Sequence, residues 1–485
     1  MSASLSGMRR PDRGPHPAGL PRAGLVAAAI SIICAAGVAA SPASLQSALD
    51  ADGQRNPAVK VSVLFAPVEG SGPDVSLDAD QALPPASVEK IVTSAAALDV
   101  LGPGYHFTTR AWTDGVIRDG RVEGSLYLEG NGDPFLVTER LWLLAHAVAA
   151  RGVRGVTGDL VVDATVIADL DSIRAAERSD SPYTAPVSML AVNFNDLTFV
   201  VRPAERPGEA AAAAFDPFPI PGLSIVNHAT TGAPASSPSL TMTRAGAVWT
   251  IGGTIPAGSP PVWIYKAADD PALLAGGVFA GLLAQNGITI TGDVRSGRTP
   301  AAAALIDSLP SLPLGTLIRS MNGFSNNFMA DVVLTALGDR TGARSGLDRL
   351  RAWLRERPAL DPLPAIHDGS GLSPRNRISA RAIVRLLTWA QGQERIFPDL
   401  YASLPRPGED GTLERRFLKG DAPAIRAKTG TLGDIGVSGI AGYIDHPTAG
   451  RYAFCILQKS SGDARMNIPD LRAREDRWLR EFVAP

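Results

Sequence analysis

The pattern of apolar and polar positions along this 485-residue chain first predicts a strand and then a helix. Residues 59–65 alternate between apolar and polar side chains, as a half-buried β-strand does. Residues 87–101 follow with apolar residues at helical spacing, shortly after a Pro-Pro pair that favours a helix start. We therefore expect both segments to belong to an α/β domain.

The middle of the chain, residues 107–298, has a different pattern. It is rich in short β-like runs, such as 124–128 and 159–162, which Gly, Pro and Asp turns separate. Residues 210–214 and 217–221 are predicted to be loop or linker rather than core. We predict that this region is a large β-rich insertion of one or two subdomains.

Helical patterns return after residue 312 and are followed by strand patterns. The two helix patterns and the three strand patterns are, in order, 328–337, 345–357, 424–431, 437–444 and 452–457. We expect residues 41–106 and 299–485 to form one domain, α/β in class, in which a sheet carries helices on both faces.

The end of the chain predicts an amphipathic helix, because four large apolar side chains share one of its faces: Leu471, Trp478, Leu479 and Phe482. Arg and Glu residues occupy the other face. Packing of the apolar face on a sheet is the more common use of such a helix, and peripheral contact with a membrane is the alternative.

Composition limits the classes of partner. Apolar residues make up 45% of the chain, which is enough for a large core, and the length favours two or three domains. The 46 basic and 48 acidic residues nearly balance, which argues against nucleic acid as the main partner. The six His residues are scattered and no C-x-x-C or H-E-x-x-H spacing occurs, so the sequence predicts neither a metal site nor a cofactor.

The first forty residues differ from everything after them. Four arginines precede an Ala-rich apolar run that ends with the small residues Val38 and Ala40. This arrangement predicts a signal peptide, residues 1–40, that is cleaved after Ala40. An uncleaved membrane anchor is the alternative. The segment predicts an exported protein, in the periplasm or outside the cytoplasmic membrane.

Ser87 and Lys90 form an S-x-x-K element at the start of the first predicted helix. This spacing places the Lys ammonium one turn from the Ser hydroxyl on the same helix face. A base at that distance can activate the Ser as a nucleophile. Because about one such match is expected by chance in a chain this long, the element depends on the motifs that accompany it.

A K-T-G element lies in the predicted strand 424–431. It comprises Lys428, Thr429 and Gly430, with Thr431 next. This pattern is much rarer by chance. The Gly allows a ligand backbone to approach the strand, and the Lys and Thr offer hydrogen-bond donors to a substrate carboxylate.

An S-x-N element is expected between these two motifs, and two candidates lie close together. The first contains Ser320 and Asn322, and the second contains Ser325 and Asn327. We favour the second, because it directly precedes a helical segment, where a short loop can present Ser325 and Asn327 together. Ser320 ends the preceding apolar stretch and can serve as a cap.

With its motifs in this order, the sequence resembles the penicillin-recognising serine enzymes. It resembles above all the class C, low-molecular-mass D-alanyl-D-alanine carboxypeptidases of the S13 peptidase family, the penicillin-binding protein 4 type. The likeness covers most of the chain after residue 40 and includes the long insertion and four stretches: 85–90, 128–134, 368–373 and 411–413. Two positions depart from the family: Asn326 replaces a frequent Asp, and Gln458 precedes Lys459 where the last core strand often ends in Asn.

The resemblance implies an acyl-enzyme mechanism on a β-lactamase-like fold. Ser87 would attack the carbonyl of the penultimate D-Ala, and Lys90 would take its proton. A Lys can act as a base only if burial and a neighbouring charge, here Lys428, lower its pKa. Ser325 would relay a proton to the leaving amine, and Asn327 would orient Lys90 or the substrate amide.

The resemblance also implies the substrate side of the site. Lys428 and Thr429, beside Gly430, would hold the terminal carboxylate of a peptidoglycan stem peptide. The backbone N–H groups of Ser87 and Thr431 would form the oxyanion hole. The same contacts would allow β-lactam antibiotics to acylate Ser87.

The alternatives to this function are a hydrolase triad, a class A β-lactamase and a non-catalytic protein on the same fold. Ser370 and His367 lack the G-x-S-x-G elbow of a hydrolase triad, so Ser370 is expected in a tight turn near the site. No E-x-x-L-N stretch of a class A β-lactamase occurs between Asn327 and Lys428, so slow penicillin turnover is expected. A catalytically weak cell-wall-binding or penicillin-sensing protein on the same fold is the alternative from another class. Carboxypeptidase and DD-endopeptidase activities are not separated by sequence.

Overall fold

The computed structural model describes residues 42–69, 72–164, 181–338, 345–357, 363–417, 423–462 and 466–483. The predicted signal peptide, residues 1–40, lies outside the described residues. Within those ranges, no helix has both the length and the apolar character needed to cross a membrane.

The α-helices of the described ranges are numbered in chain order. They are α1 (Pro42–Arg55), α2 (Lys90–Leu101), α3 (Thr138–Ala150), α4 (Pro271–Gln285), α5 (Leu314–Phe324), α6 (Asn327–Thr335), α7 (Gly346–Arg355), α8 (Ala380–Gln391), α9 (Phe397–Ser403) and α10 (Ile468–Val483). Helices α6 and α7 correspond to the predicted helices 328–337 and 345–357.

The β-strands are numbered in the same way. They are β1 (Val59–Pro67), β2 (Val75–Leu77), β3 (Thr108–Thr113), β4 (Val116–Arg118), β5 (Arg121–Glu123), β6 (Leu126–Gly130), β7 (Gly155–Val156), β8 (Leu160–Asp163), β9 (Asp196–Arg202), β10 (Ala212–Phe215), β11 (Ser224–Asn227), β12 (Thr230–Gly232), β13 (Thr241–Ala245), β14 (Val248–Gly252), β15 (Thr254–Pro256), β16 (Val262–Ala267), β17 (Thr289–Ile290), β18 (Val294–Ser296), β19 (Ala304–Pro310), β20 (Ile425–Leu432), β21 (Val437–His446) and β22 (Gly450–Ser460).

One antiparallel sheet joins the two ends of the chain. Its five strands follow the order β2-β1-β22-β21-β20, and Val59 near the N-terminus pairs with Ser460 near the C-terminus. The four strands predicted for this region, from 59–65 to 452–457, are all present in it. This sheet places the K-T-G segment at its edge, in β20, where one side of the strand is open to a ligand.

Both faces of this sheet carry helices, because successive side chains of a strand point to opposite faces. On β1, Val63 and Phe65 are buried with residues of α1 and α10, whereas Leu64 is buried with residues of α2 and α8. On β22, Cys455 joins the second of these cores as a buried thiol. The predicted α/β layering is therefore found.

The C-terminal helix α10 uses its apolar face for packing. Leu471, Trp478, Leu479 and Phe482 are all fully buried, and the Phe482 ring centroid lies 4.7 Å from that of Phe65 on β1. The sheet therefore covers the face that the alternative interpretation assigned to a membrane.

The region between β3 and β19 has its own sheets and its own core. Its largest sheet follows the order β18-β8-β6-β3-β19, and a separate hydrophobic cluster extends along the sequence from Ala111 to Ile306. Helices α3 and α4 pack in the same cluster, so this β-rich region also contains two long helices.

One sequence prediction in this region is wrong. Residues 210–214 were expected to be loop, but Ala212–Phe215 forms β10 and pairs with β9. Phe215 is buried, with its ring centroid 5.0 Å from that of Phe199, so this contact and the pairing to β9 stabilise a strand that the run of Ala residues does not reveal.

The burial of the apolar face of α10 leads to a prediction about the free energy of unfolding. Leu479→Ala should lower the free energy of unfolding by about 2–5 kcal/mol, because it removes packed methyl groups from a fully buried position. Leu143→Ala on α3 is the matched control, since Leu143 is 47% exposed and should change stability by less than about 1 kcal/mol. Denaturant unfolding of both variants checks this, and equal losses would contradict the packing of α10 described above.

Candidate active site

Ser87 lies in a short 3-10 turn, Ala86–Glu89, that runs directly into α2. The turn begins with Ala86 in the left-handed region, at a φ of 48°, an uncommon conformation for a non-Gly residue. Ser87 is partly exposed, whereas Lys90, the first residue of α2, is fully buried beneath it. The S-x-x-K spacing therefore produces one accessible hydroxyl above one buried amine.

The Lys90 side chain connects three parts of the chain. Its Nζ donates to Ser87 Oγ at 2.9 Å, to Asn327 Oδ1 at 2.7 Å and to the Ser370 carbonyl at 2.7 Å. These contacts hold Nζ in a fixed position beside the Ser87 hydroxyl.

The S-x-N element joins two helices. Helix α5 ends at Phe324, Ser325 follows it with a φ of 57° that turns the chain, and α6 begins with Asn327. The Asn326 side chain caps α6 by accepting from the Met329 N–H at 2.9 Å. Since Asp and Asn are both good N-caps, Asn326 preserves the local structure despite its departure from the family pattern.

The rival S-x-N element has a different environment. Asn322 is fully buried and donates to the hydroxyl groups of Ser94 and Ser403 at 3.0 and 2.8 Å. These bonds tie α5 to α2 and α9. The structure thus brings Ser325 and Asn327, not Asn322, to the two lysines.

Lys428 lies beside this element in β20. Its Nζ donates to Ser325 Oγ and to the Thr429 carbonyl, both at 2.8 Å. The side chain is fully buried, and this burial, with the nearby charge of Lys90, holds the pKa of Lys428 well below its ordinary value. A Lys with a lowered pKa gives up its proton more readily than an ordinary Lys.

Gly430 allows β20 to pack against the turn that carries Ser87. A Cβ atom at this position would lie 2.7 Å from the Pro85 carbonyl oxygen and 3.0 Å from the Ser87 nitrogen. From the sequence, we expected Gly430 to let a ligand backbone approach the strand. In the structure the close neighbour is the chain's own turn, so the Gly sets the distance between Ser87 and the strand.

A cleft of about 1210 Å³ opens over these residues. Its lining includes most of the predicted site residues: Ser87, Ser325, Asn327, Thr429 and Thr431. Thr412, from the stretch 411–413, also lines it, with its Oγ1 2.8 Å from that of Thr429. Lys90 and Lys428 are fully buried beside this lining.

The loop at residues 368–373 contributes a backbone atom that the sequence did not indicate. Asp368 accepts hydrogen bonds from the N–H groups of Gly371 and Ser373, at 2.8 and 2.6 Å, and so fixes the loop. Gly371 has a φ of 80°, and a Cβ there would lie 1.9 Å from the Ala86 carbonyl oxygen. Ser370 lies in a tight turn near the site, as expected, and provides its carbonyl to Lys90.

Glu89 is a second feature that motif matching missed. Its side chain is fully buried, and neither carboxyl oxygen has a hydrogen-bond partner within the described ranges. Burial raises the pKa of Glu89 well above its ordinary value, Asp368 and Asp331 raise it further, and Lys90 opposes them. The surroundings therefore favour the neutral carboxylic acid next to Lys90.

The family model for the D-Ala-D-Ala carboxypeptidase 3 (S13) family matches residues 45–481. The chain belongs to this family. As an S13 member it is a serine DD-peptidase, a hydrolase of D-Ala-D-Ala peptides. The family predicted from the three motifs is thus confirmed.

Individual relatives agree with the family. A D-alanyl-D-alanine carboxypeptidase of Actinomadura sp. (strain R39) is 35% identical over 430 residues, covering 81% of this chain and 77% of the relative. The D-alanyl-D-alanine carboxypeptidase DacB of Haemophilus influenzae is 24% identical over 392 residues, covering 78% of this chain and 81% of the relative.

The fold of the S13 chain is also that of a solved structure. The crystal structure of penicillin binding protein 4 (dacB) from Haemophilus influenzae gives a TM-score of 0.71 at 21% identity, covering 90% of this chain and 97% of that one. Another structure of that protein is complexed with a β-lactam. The predicted fold class is therefore confirmed.

Glu89 leads to a prediction on pH. A carboxyl group whose pKa is raised by folding contributes stability below its unfolded pKa, and that contribution is lost as the pH rises through the folded value. The stability of the parent should therefore fall, relative to Glu89→Gln, as the pH rises above the ordinary Glu value of 4.5.

Thermal unfolding of both proteins from about pH 5 to about pH 9 measures this difference. Glu414→Gln, at an exposed position, is the control and should follow the parent at every pH. A difference in unfolding temperature between the parent and Glu89→Gln that stays constant with pH would show that Glu89 does not change its ionisation on folding.

Proposed function

We propose that Ser87 is the nucleophile with which this S13 enzyme cleaves the D-Ala-D-Ala bond of peptidoglycan stem peptides. The observation that carries the proposal is the distance of 2.9 Å between Lys90 Nζ and Ser87 Oγ, at the floor of an open cleft. A base within hydrogen-bond reach of an accessible hydroxyl is what nucleophilic catalysis requires.

Lys90 acts as the base in its neutral form. A neutral amine has two N–H groups and one lone pair. The Asn327 side-chain oxygen and the Ser370 carbonyl can only accept, so they bind the two N–H groups. The lone pair is then directed at the Ser87 hydroxyl, and its proton passes to Lys90 as Oγ bonds to the substrate carbonyl carbon.

Lys428 and Ser325 protonate the leaving group. When the tetrahedral intermediate collapses, the C–N bond breaks and the amine of the terminal residue takes a proton through Ser325. The 2.8 Å contact between Lys428 Nζ and Ser325 Oγ supports this relay, as does the lowered pKa of Lys428. Water then hydrolyses the ester on Ser87, and a β-lactam forms the same ester by opening its ring.

Backbone and strand groups bind the substrate. The N–H groups of Ser87 and Thr431 stabilise the oxyanion, and the close packing at Gly430 supports their convergence. Thr429 and Lys428 hold the terminal carboxylate side of the substrate. The sensor alternative is not favoured, because Ser87 and Lys90 are both present and lie within hydrogen-bond distance of each other.

Two further features of the chain are its N-terminal segment and its division into domains. We propose that residues 1–40 direct export, so that the enzyme meets peptidoglycan in the periplasm or outside the cytoplasmic membrane. We further propose that residues 41–106 and 299–485 form the catalytic domain and that residues 107–298 are inserted. The separate core of the middle region supports this division, and the pairing of β19 with β3 favours extending the insertion to Pro310.

Acylation by benzylpenicillin tests the nucleophile. Intact-protein mass spectrometry should show one penicillin adduct on the parent and none on Ser87→Ala, because the variant has no hydroxyl to form the ester. Ser370→Ala is the matched control, since Ser370 contributes its carbonyl rather than its hydroxyl to Lys90, and it should keep the adduct. The same proteins are then assayed for D-Ala release from an acyl-D-Ala-D-Ala peptide and for separation of the two peptides of a cross-linked stem-peptide dimer.

An adduct that persists in Ser87→Ala would overturn the assignment. A folded parent with neither adduct, β-lactam hydrolysis nor peptide cleavage would overturn the function. Cleavage of the linear peptide alone indicates a carboxypeptidase, and cleavage of the dimer adds DD-endopeptidase activity.

A further inference from the structure

Arg472 of the C-terminal helix reaches the K-T-G strand. Its Nη2 donates to Thr431 Oγ1 at 3.0 Å, and its side chain is exposed in the same cleft as Ser87. None of the three sequence motifs includes this residue.

The charges around the cleft make Arg472 distinctive. Lys90 and Lys428 are fully buried, and Arg416 is paired with Glu475 and Asp476. Within the described ranges no carboxylate lies within 4.0 Å of the Arg472 guanidinium. It is therefore an exposed, unpaired cation that touches the strand next to the nucleophile.

The sheet holds Arg472 in place through its neighbours on α10. Gln458 on β22 donates to the Leu471 carbonyl at 2.9 Å and to Glu475 at 3.2 Å. Ser438 on β21 donates to the same Glu475 carboxylate at 2.6 Å. Gln458, one of the two departures from the family pattern, thus fixes the helix turn that carries Arg472.

Arg472 and Thr431 still have hydrogen-bond donors available for an anion. A guanidinium has five N–H groups, and Arg472 uses one of them on Thr431. Since the Thr431 oxygen accepts that bond, its own proton remains available to a ligand. Together they offer a planar guanidinium edge and a hydroxyl, a combination suited to a carboxylate.

We propose that Arg472 is a substrate-binding residue that receives, with Thr431, the free carboxylate of the substrate's terminal residue. The inference rests on the proposed function and adds a specificity determinant to it. Lys428 lies fully buried and bonded to Ser325, so Arg472 adds an exposed ionic contact to the one from Lys428, at the open side of the strand. Because Arg472 lies outside the proton-transfer chain, it acts on binding rather than on bond breaking.

Equilibrium binding tests this without turnover. The Ser87→Ala protein is titrated by calorimetry with diacetyl-L-Lys-D-Ala-D-Ala and with its C-terminal amide. Adding Arg472→Ala should raise the Kd of the acid about tenfold and leave that of the amide unchanged, because only the acid carries the charge that Arg472 binds. With Arg472→Lys, the Kd of the acid should lie between the values with Arg472 and with Arg472→Ala, since Lys keeps the charge but loses the planar donor pair.

Arg415→Ala is the matched control. Arg415 is also exposed, lines the same cleft and has no carboxylate partner in the described part of the chain, but it makes no contact with Thr431. Its removal should leave the Kd of the acid within about twofold, and added salt should weaken acid binding more with Arg472 present than absent.

Two results would overturn the inference. One is an equal rise in Kd for the acid and the amide on removal of Arg472, and the other is an equal effect of Arg415→Ala. Failure of the proposed function has a different signature: a protein with Ser87 intact would bind the acid but would neither be acylated nor cleave it. A protein that binds neither peptide would overturn both.

Discussion

The arrangement of this site depends on the three hydrogen bonds of one buried amine. Lys90 Nζ connects the turn at Ser87, the helix junction at Asn327 and the carbonyl of Ser370. These three residues lie far apart in sequence, on both sides of the β-rich middle region. A buried Lys without such partners would cost several kcal/mol, so the fold must bring all three together for the amine to remain inside. The same requirement that stabilises Lys90 also orients it towards a hydroxyl at the surface of the cleft.

The remaining structure keeps this amine close to the cleft but buried away from water. The five-stranded sheet brings β20 next to the turn that carries Ser87, and Gly430 lets the two backbones pack closely. Lys428 is buried beside Lys90, and the repulsion between the two charges, with desolvation, lowers the pKa of Lys428. In this account the buried lysines transfer protons, and the exposed Arg472 adds a cationic contact to the substrate carboxylate beside Thr429 and Lys428.

Much of this could be predicted from sequence, because the motifs and the strand patterns are local signals. The strands of the five-stranded sheet followed from the pattern of apolar and polar residues, and the choice of Ser325 and Asn327 followed from their position directly before a helical segment. Other features depend on tertiary contacts that no local pattern encodes. The Ser370 carbonyl is a backbone group present at every residue, and Glu89 resembles a surface residue until its burial is seen. Arg472 lies about forty residues after the K-T-G element on a helix recognised only by its apolar face.

The most direct test of this account is the acylation rate of Lys90→Met with benzylpenicillin, measured beside the parent and Lys60→Met. Met preserves most of the volume of the Lys side chain but provides neither the lone pair nor the N–H groups, whereas Lys60 is exposed on β1. The account predicts a second-order rate constant about 10²- to 10⁴-fold lower for Lys90→Met and unchanged for Lys60→Met, with both proteins folded. A folded Lys90→Met that acylates within about tenfold of the parent would contradict the role of Lys90 as the base.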